Sequence, residues 1–467
     1  MKKKRISALC AALLVTASMF SGCGNKTDES VSEETTINII QDGTEAPVSE
    51  SGEPVTVTNP EGEVVTDANG EAVTAIVTSA TSFVDPGANL GNEDISAAET
   101  AVTEETKPVN HEEIANMIEQ GTVAEKKPVI AEYNVDYKTR YGYNTLNDQE
   151  KALYADILEA VKSVKTKVKV DDSVTDEMWI KVYGTLYMQE PQLFWLTSKK
   201  VVKGKLWYWE IDPEIIASMQ KEIDATASKV LTEAEGKDTY GKLKVFHDYI
   251  TLNNDFIKEE GFNQTIYGGL AKGTIQCEGY AKTMQYLCDM AGIESMVVVG
   301  SNEANDTHAW NVVKVDGEWY NIDCTWDDPI LTEVDETNVR YRYFLVPDEW
   351  IHNKSHFNIN KKISGTQLTY FNPPACTATK MNYFNVTNQV YSDKASADKA
   401  LREKLKSVAS SKLRAAEIRV SDKSVYDAIT ADLKEYASWI KSENSSVSSV
   451  ASNCDPNTLV IELDLIY

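Results

Sequence analysis

Between His308 and Asp323 the chain admits very few conformations. Asp316-Gly317 separates two alternating segments, His308-Ala-Trp-Asn-Val-Val-Lys-Val315 and Glu318-Trp-Tyr-Asn-Ile-Asp323. An Asp-Gly pair in that setting marks a two-residue hairpin turn, because both central positions need positive φ. Such a turn fixes the register: residue numbers facing each other across the ladder sum to 633, as they do for Val315 and Glu318. Asp323 then falls opposite Trp310 and His308 opposite Thr325, and all four share one face because side chains alternate with period two. His308 and Asp323 become diagonal neighbours, roughly 7–8 Å apart at Cα, within reach of an imidazole–carboxylate hydrogen bond. A three-residue loop would reverse the parity and separate them.

Upstream, Gly273-Thr-Ile-Gln-Cys277-Glu-Gly-Tyr-Ala281 opens a helix. Cys277, Ala281, Met284, Leu287, Cys288 and Ala291 fall on one apolar face, and Gly292 supplies a left-handed stop. A cysteine in the first turn lies near unpaired backbone N–H groups and the positive end of the helix dipole, which favours the thiolate. The same N–H groups can hold the oxyanion formed when a thiolate attacks an acyl carbon. Gly279 is expected to leave room for a substrate backbone. The plain alternative is a cysteine that opens a core helix. Cys277, His308 and Asp323 together have the chemistry of a nucleophile, a general base and acid, and the carboxylate that orients the base.

The rest of the chain divides by composition. Lys2-Lys3-Lys4-Arg5, an apolar run from about Ile6 to Phe20, and Phe20-Ser-Gly-Cys23 read as a signal peptide over 1–22. The ending resembles the bacterial lipobox, which implies lipidation of Cys23; simple secretion is the alternative. Residues 24–110 hold 18 acidic residues, two lysines and one aromatic, Phe83. Such a segment cannot bury enough apolar surface to offset its ordering entropy. Residues 23–127 are therefore expected to be a disordered acidic linker, with a short Val-Thr octapeptide repeat from Val57. About 90 residues of coil have a root-mean-square span of roughly 50 Å. The formal net charge is −26, and removal of the four cationic residues in 1–22 takes it to −30. That balance argues against nucleic acid as a partner and against anionic lipid contact through the folded part, leaving the lipid anchor as the membrane attachment.

Residues 128–236 read as an N-terminal α/β domain: helices near Asn147–Val161, Asp176–Met188 and from Asp212-Pro213, with strands at 191–197 and 206–211. Residues 237–362 form the central domain, opening with a helix through Tyr240, Leu243, Phe246 and Ile250. His247 on that helix is assigned no role. Residues 363–467 read as a C-terminal α+β domain with strands at 382–391, 415–420 and 458–465 and helices at 395–408 and 425–440. Cys288, Cys324, Cys376 and Cys454 have no spacing motif and are expected to be free thiols.

Cys-x-Gly-x-Ala at 277–281, His-Ala-Trp-Asn at 308–311 and Trp-Tyr-x-x-Asp-x-Thr-Trp-Asp-Asp-Pro at 319–329 resemble the bacterial transglutaminase-like superfamily. Tyr343-Phe-Leu345 and the segment from His352 to His356 are similar to that family's trailing region. The resemblance implies an α+β chain with a papain-like core, and a Cys277-His308-Asp323 triad acting on amide bonds of proteins or peptides, cell-wall peptides included, by transfer to an amine or to water. It implies no metal and no cofactor. Trp310 and Trp326 would be pocket walls or core aromatics. Tyr267 would lie on the approach and assist the oxyanion. Glu278 stands where many relatives carry Gln, and is expected to put an acid beside the thiol. With the lipid anchor, the expected location is the extracytoplasmic face of a bacterial membrane. Two rival readings remain: a metal site from Cys277, His308, Asp323 and Cys324, which lacks paired-ligand spacing, and a non-catalytic cell-surface or cell-wall binding module on the same scaffold.

Overall fold

The computed structural model describes residues 135–301, 307–328, 339–352, 356 and 371–467, together with short paired strands at 55–56, 74–75, 362–363 and 366–367. The signal peptide, Cys23 and nearly all of the acidic linker lie outside the described residues. Residues 1–83 and 84–467 form separate units, and the helices and sheets around Cys277 all belong to the second.

Among the described residues, four helices of fourteen or more residues precede the thiol, after a single helical turn at Tyr141–Asn144. Helix α1 (Asp148–Lys162) starts at a capping box, in which Asn147 accepts from Glu150 N and the Glu150 side chain accepts from Asn147 N. Helix α2 (Asp176–Gln189) is capped by Thr175, α3 (Pro213–Ala234) by Asp212 with Pro213 in its first turn, and α4 (Thr239–Asn253) by Asp238. The strands expected at 191–197 and 206–211 do not form. Those stretches meet only at a single bridge, Leu196 to Tyr208, because Phe194, Leu196 and Leu206 turn inward as plugs between elements and leave no regular ladder. The region before α4 is therefore helical, not α/β. Nor does the core break near residue 236: α3, α4 and the elements after them share one cluster from Phe194 to Leu345.

Helix α5 (Cys277–Met290) is the central element, buried on all sides from Glu278 to Cys288 and not on one face as its periodicity suggested. It ends as expected at Gly292, φ 70°, where Ile293 N donates to Cys288 O and Gly292 N to Asp289 O. This pair of bonds is a Schellman motif.

Against α5 lies an antiparallel meander of β1 (Ser295–Ser301), β2 (Thr307–Val315), β3 (Glu318–Ile322) and β4 (Phe344–Val346), in that order across the sheet. The β2–β3 ladder runs from Val315↔Glu318 to Asn311↔Ile322, the register set by the Asp316-Gly317 turn, whose residues have φ 52° and 87°. One expectation fails at its end. The chain turns into a short helix, α6 (Cys324–Asp327), so Thr325 does not face His308 across a ladder. Asp323 is the N-cap of α6: its Oδ1 accepts from Thr325 N and Trp326 N, a local bond that competes with continued strand pairing.

The C-terminal part forms a second sheet of β5 (Val390–Tyr391), β6 (Ala415–Val420), β7 (Ser449–Ser452) and β8 (Val460–Ile466), in the order β5-β6-β8-β7, with helices α7 (Lys394–Ser410), α8 (Lys423–Thr430) and α9 (Leu433–Glu443). The strand expected over 382–391 begins instead as a helical turn, Tyr383–Val386, and the helix expected over 425–440 is broken at Ala431-Asp432. Arg340 and Arg342, just before β4, reach Glu462 at 2.6 and 2.5 Å, and Arg340 also reaches Asp464. These buried ion pairs tie the central sheet to the C-terminal one.

Candidate active site

Cys277 is the first residue of α5, half-buried, and its preceding cap residue Gln276 makes no side-chain bond to the helix end. In contrast with α1 to α4, the first turn of this helix receives no oxygen from its own N-cap side chain, so its N–H groups and dipole are turned to whatever sits by the thiol. His308, at the start of β2, lies close enough to Cys277 for the thiol to raise the basicity of its imidazole. Its Nε2 lies 2.6 Å from Asp323 Oδ2. The hairpin register brings the imidazole and carboxylate close, and the turn into α6 holds the carboxylate by its second oxygen.

Burial would lower the pKa of His308, but the Asp323 charge and hydrogen bond, then Cys277, raise it to about 10. Burial would likewise raise Asp323, yet His308 and His356 hold it well below the usual carboxylate range. Opposite charges on imidazole and carboxylate therefore stabilise each other in a site from which water is largely excluded.

The pocket assignments fare differently. Trp310 is fully buried beneath His308, with rings 6.0 Å apart and nearly parallel, and its Nε1 donates to Asn321 Oδ1 at 3.0 Å. It supports the imidazole from the core side. Trp326 is partly exposed and edge-on to His308 at 6.0 Å, so of the two tryptophans it is the one that can line an approach.

Three expectations are corrected. The Tyr267 hydroxyl lies 3.3 Å from each oxygen of Glu222, and its ring packs on Phe194 and Phe262; the hydroxyl is committed to α3 and has no geometry for an oxyanion. Gly279 leaves no room for substrate, since a Cβ there would sit 2.3 Å from Asn263 O. Its lack of a side chain serves a backbone contact inside the protein. Glu278 is not a bare acid beside the thiol: it is buried and paired with Lys282 at 2.8 Å, whose ammonium lies 3.4 Å from the centre of the Tyr187 ring.

Sequence reasoning assigned no role to two histidines that the structure buries. His356 Nε2 also lies 2.6 Å from Asp323 Oδ2. Only its position in the trailing segment hinted at a role, since nothing local in sequence links it to Asp323. His247 Nε2 lies 3.0 Å from Asp327 Oδ2, deep in the core. As for metal ligation, His308, Asp323 and His356 bring three ligand-type atoms within 4.8 Å of one another, with both imidazoles spending Nε2 on Asp323. The set that included Cys324 does not assemble, because that thiol faces the core cluster.

Comparison with known proteins bears on this geometry. Residues 225–324, which contain Cys277, His308 and Asp323, match the family model described as Transglutaminase-like superfamily. Kyphoscoliosis peptidase of Homo sapiens is 26% identical over 98 residues, and that of Mus musculus 27% over 101; each alignment covers 18% of this chain. The chain spans only 15% of the length of these curated relatives. Among solved structures, a chain titled "Crystal structure of a TGase" is 21% identical with a TM-score of 0.22, covering 25% of this chain and 34% of that one. A putative cysteine protease from Cytophaga hutchinsonii is 18% identical with a TM-score of 0.22, covering 34% and 51%. Residues 225–324, within a mixed helix-and-sheet fold, are thus similar to the Transglutaminase-like superfamily.

Proposed function

We propose that the protein is a lipid-anchored, extracytoplasmic thiol enzyme that acts on amide bonds of proteins or peptides through an acyl-enzyme. The observation that carries the catalytic part is the line of contacts from Cys277 to His308 to Asp323, with the thiol at an uncapped helix N-terminus. His308 takes the Cys277 proton. The thiolate adds to the amide carbon and the carbonyl oxygen gains the negative charge, which the first N–H groups of α5 can hold. When the C–N bond breaks, His308 returns the proton to the departing amine, leaving a thioester. A second amine or water, deprotonated by the same imidazole, adds to that thioester and expels the thiolate, giving a new amide or a carboxylate. Support for the location is confined to sequence: the signal-like segment, Cys23 and the long acidic stretch before the folded part. The chemistry fits peptide substrates at a cell surface, cell-wall peptides among them.

The test is capture. The protein is incubated with cell-surface peptides and an amine probe, and compared with Cys277→Ala. Amine incorporation that depends on Cys277 indicates transfer, and cleavage alone indicates hydrolysis. Absence of both would overturn the enzymatic reading in favour of a binding module. Labelling of Cys23 with a lipid precursor in a bacterial host tests the anchor separately; loss of acylation should follow Cys23→Ala, and an unlabelled parent protein would refute it.

A further inference from the structure

His356 lies beyond the residues that match the family model, which end at 324. Its ring is enclosed by Trp310 at 4.7 Å, His308 at 5.1 Å, Tyr343 at 5.6 Å and Trp326 at 5.9 Å. Its Nε2 is 2.6 Å from Asp323 Oδ2, the same atom that His308 approaches at 2.6 Å. The other oxygen of Asp323 is occupied by two backbone N–H groups, from Thr325 and Trp326. Asp323 thus accepts four hydrogen bonds, two at each oxygen.

Each donor on a buried carboxylate takes a share of its charge, so a donor added on Oδ2 weakens the carboxylate's hold on the proton of His308. A cation in the second position would do more: it would set two positive rings on one oxygen. A neutral imidazole donates a hydrogen bond without adding charge. We propose that His356 is a positioning residue of the thiol site, a neutral imidazole that donates Nε2–H to Asp323 and so both fixes Oδ2 and tempers the basicity of His308. This rests on the reading of Cys277 and His308 as a working thiol–imidazole pair, and is independent of whether amine or water is the acceptor.

The neutral state agrees with the surroundings. Among the described residues, the titratable groups about His356 include Asp323, His308, His352 and Tyr343, with Asp327 and Cys324 near Asp323 and Cys277 beyond His308. Burial, with His308 and His352 adding to it, brings its pKa down to about 4 against the pull of Asp323.

The test measures the rate of Cys277 alkylation by iodoacetamide from about pH 4 to about pH 11, using the full chain as wild type, His356→Phe and His356→Gln, each with a thermal melt. Phenylalanine keeps a ring among the aromatics and lacks the donor; glutamine keeps an N–H. The alkaline step that reports His308 is expected to move up by about half to one pH unit in His356→Phe and to return toward wild type in His356→Gln. His356→Leu supplies a second donor-free side chain should phenylalanine impair folding. Donor-free variants that fold and overlay wild type, or whose step moves down, would overturn the proposal, as would stoichiometric zinc in the purified protein that disappears with His356→Phe. If wild-type Cys277 shows no preferential alkylation at neutral pH, the thiol-enzyme reading fails first and this proposal falls with it. A normal wild-type profile with unmoved variants sinks the role of His356 alone.

Discussion

Two of the buried histidine–aspartate pairs, His308–Asp323 and His247–Asp327, have carboxylates only four positions apart in sequence, and the first of them lies by a thiol. Their imidazoles are shifted alike, but their carboxylates are not: the two histidines hold Asp323 low, whereas burial pushes Asp327 up. In both, burial works against the charged imidazole and neighbouring carboxylates override it, to about 10 for His308 and about 9 for His247. In both, the second carboxylate oxygen accepts from backbone N–H groups; they differ in what the imidazole meets besides its aspartate. In the core pair, Nδ1 of His247 faces Asp248, and Asp327 Oδ1 accepts from Tyr343 N at 2.9 Å, so both partners are spent on holding the fold. In the other pair, Asp323 takes Nε2 of His308, and Cys277 is the other group that bears on the imidazole. A raised imidazole basicity therefore does not identify a catalytic group; the identity of its second partner does.

The sharpest way to break that comparison is to exchange each carboxylate for its amide. Asp323→Asn is expected to lower Cys277-dependent turnover by about 10³- to 10⁴-fold, while Asp327→Asn leaves turnover per folded molecule within about threefold. Equal losses in both would show that the core pair also serves the chemistry. In stability the order reverses. His247→Leu leaves Asp327 buried without its cation and is expected to cost about 3–5 kcal/mol by urea denaturation, with alkylation of Cys277 in the surviving folded protein unchanged.

A pH series separates the pairs further. The His247 constant is raised above its unfolded value of 6.5, so the stability it contributes is fully present below pH 6.5 and is lost as pH rises through about 9. That loss should amount to about 3 kcal/mol in wild type and be absent from His247→Gln; a wild-type profile flat across that window would remove the cation from the core pair. The smallest effect concerns the thiol's placement. Gly279→Ala, whose Cβ would strike Asn263 O, should cost about 1–3 kcal/mol and slow alkylation of Cys277 by shifting the first turn of α5. Unchanged stability there would mean that the helix start is looser than its packing implies.

Legibility in the sequence tracks the range of the interactions. The Asp316-Gly317 turn and its register are two-residue chemistry, and so is the Gly292 stop; both are legible. Asp323 as a helix cap is readable in principle from Asp-Cys-Thr-Trp, but strand alternation obscures it. Lys282 lies one helical turn after Glu278, so a pairing there has a local signal too, one that the focus on an acid beside the thiol passes over. Tyr267 with Glu222, Gly279 with Asn263 and His356 with Asp323 depend on contacts between distant segments, for which a single sequence has no local signal. The aromatic alternation around Trp195 and Trp207 misleads because alternating side chains can serve as plugs between helices as readily as strand faces.

The buried arginines just before β4 set a limit on how this domain could be moved between proteins. A chain ending near Ser364 would retain Cys277, His308 and Asp323, yet would strand Arg340 and Arg342 without Glu462 and Asp464. Both guanidinium groups would then lie on a newly opened face beside the sheet edge, without the carboxylates that now orient them. The segment from Cys277 to Asp323 is therefore not a portable cassette: recombination that grafts it elsewhere keeps the present setting of Arg340 and Arg342 only if the acidic strand Val460–Ile466 travels with it.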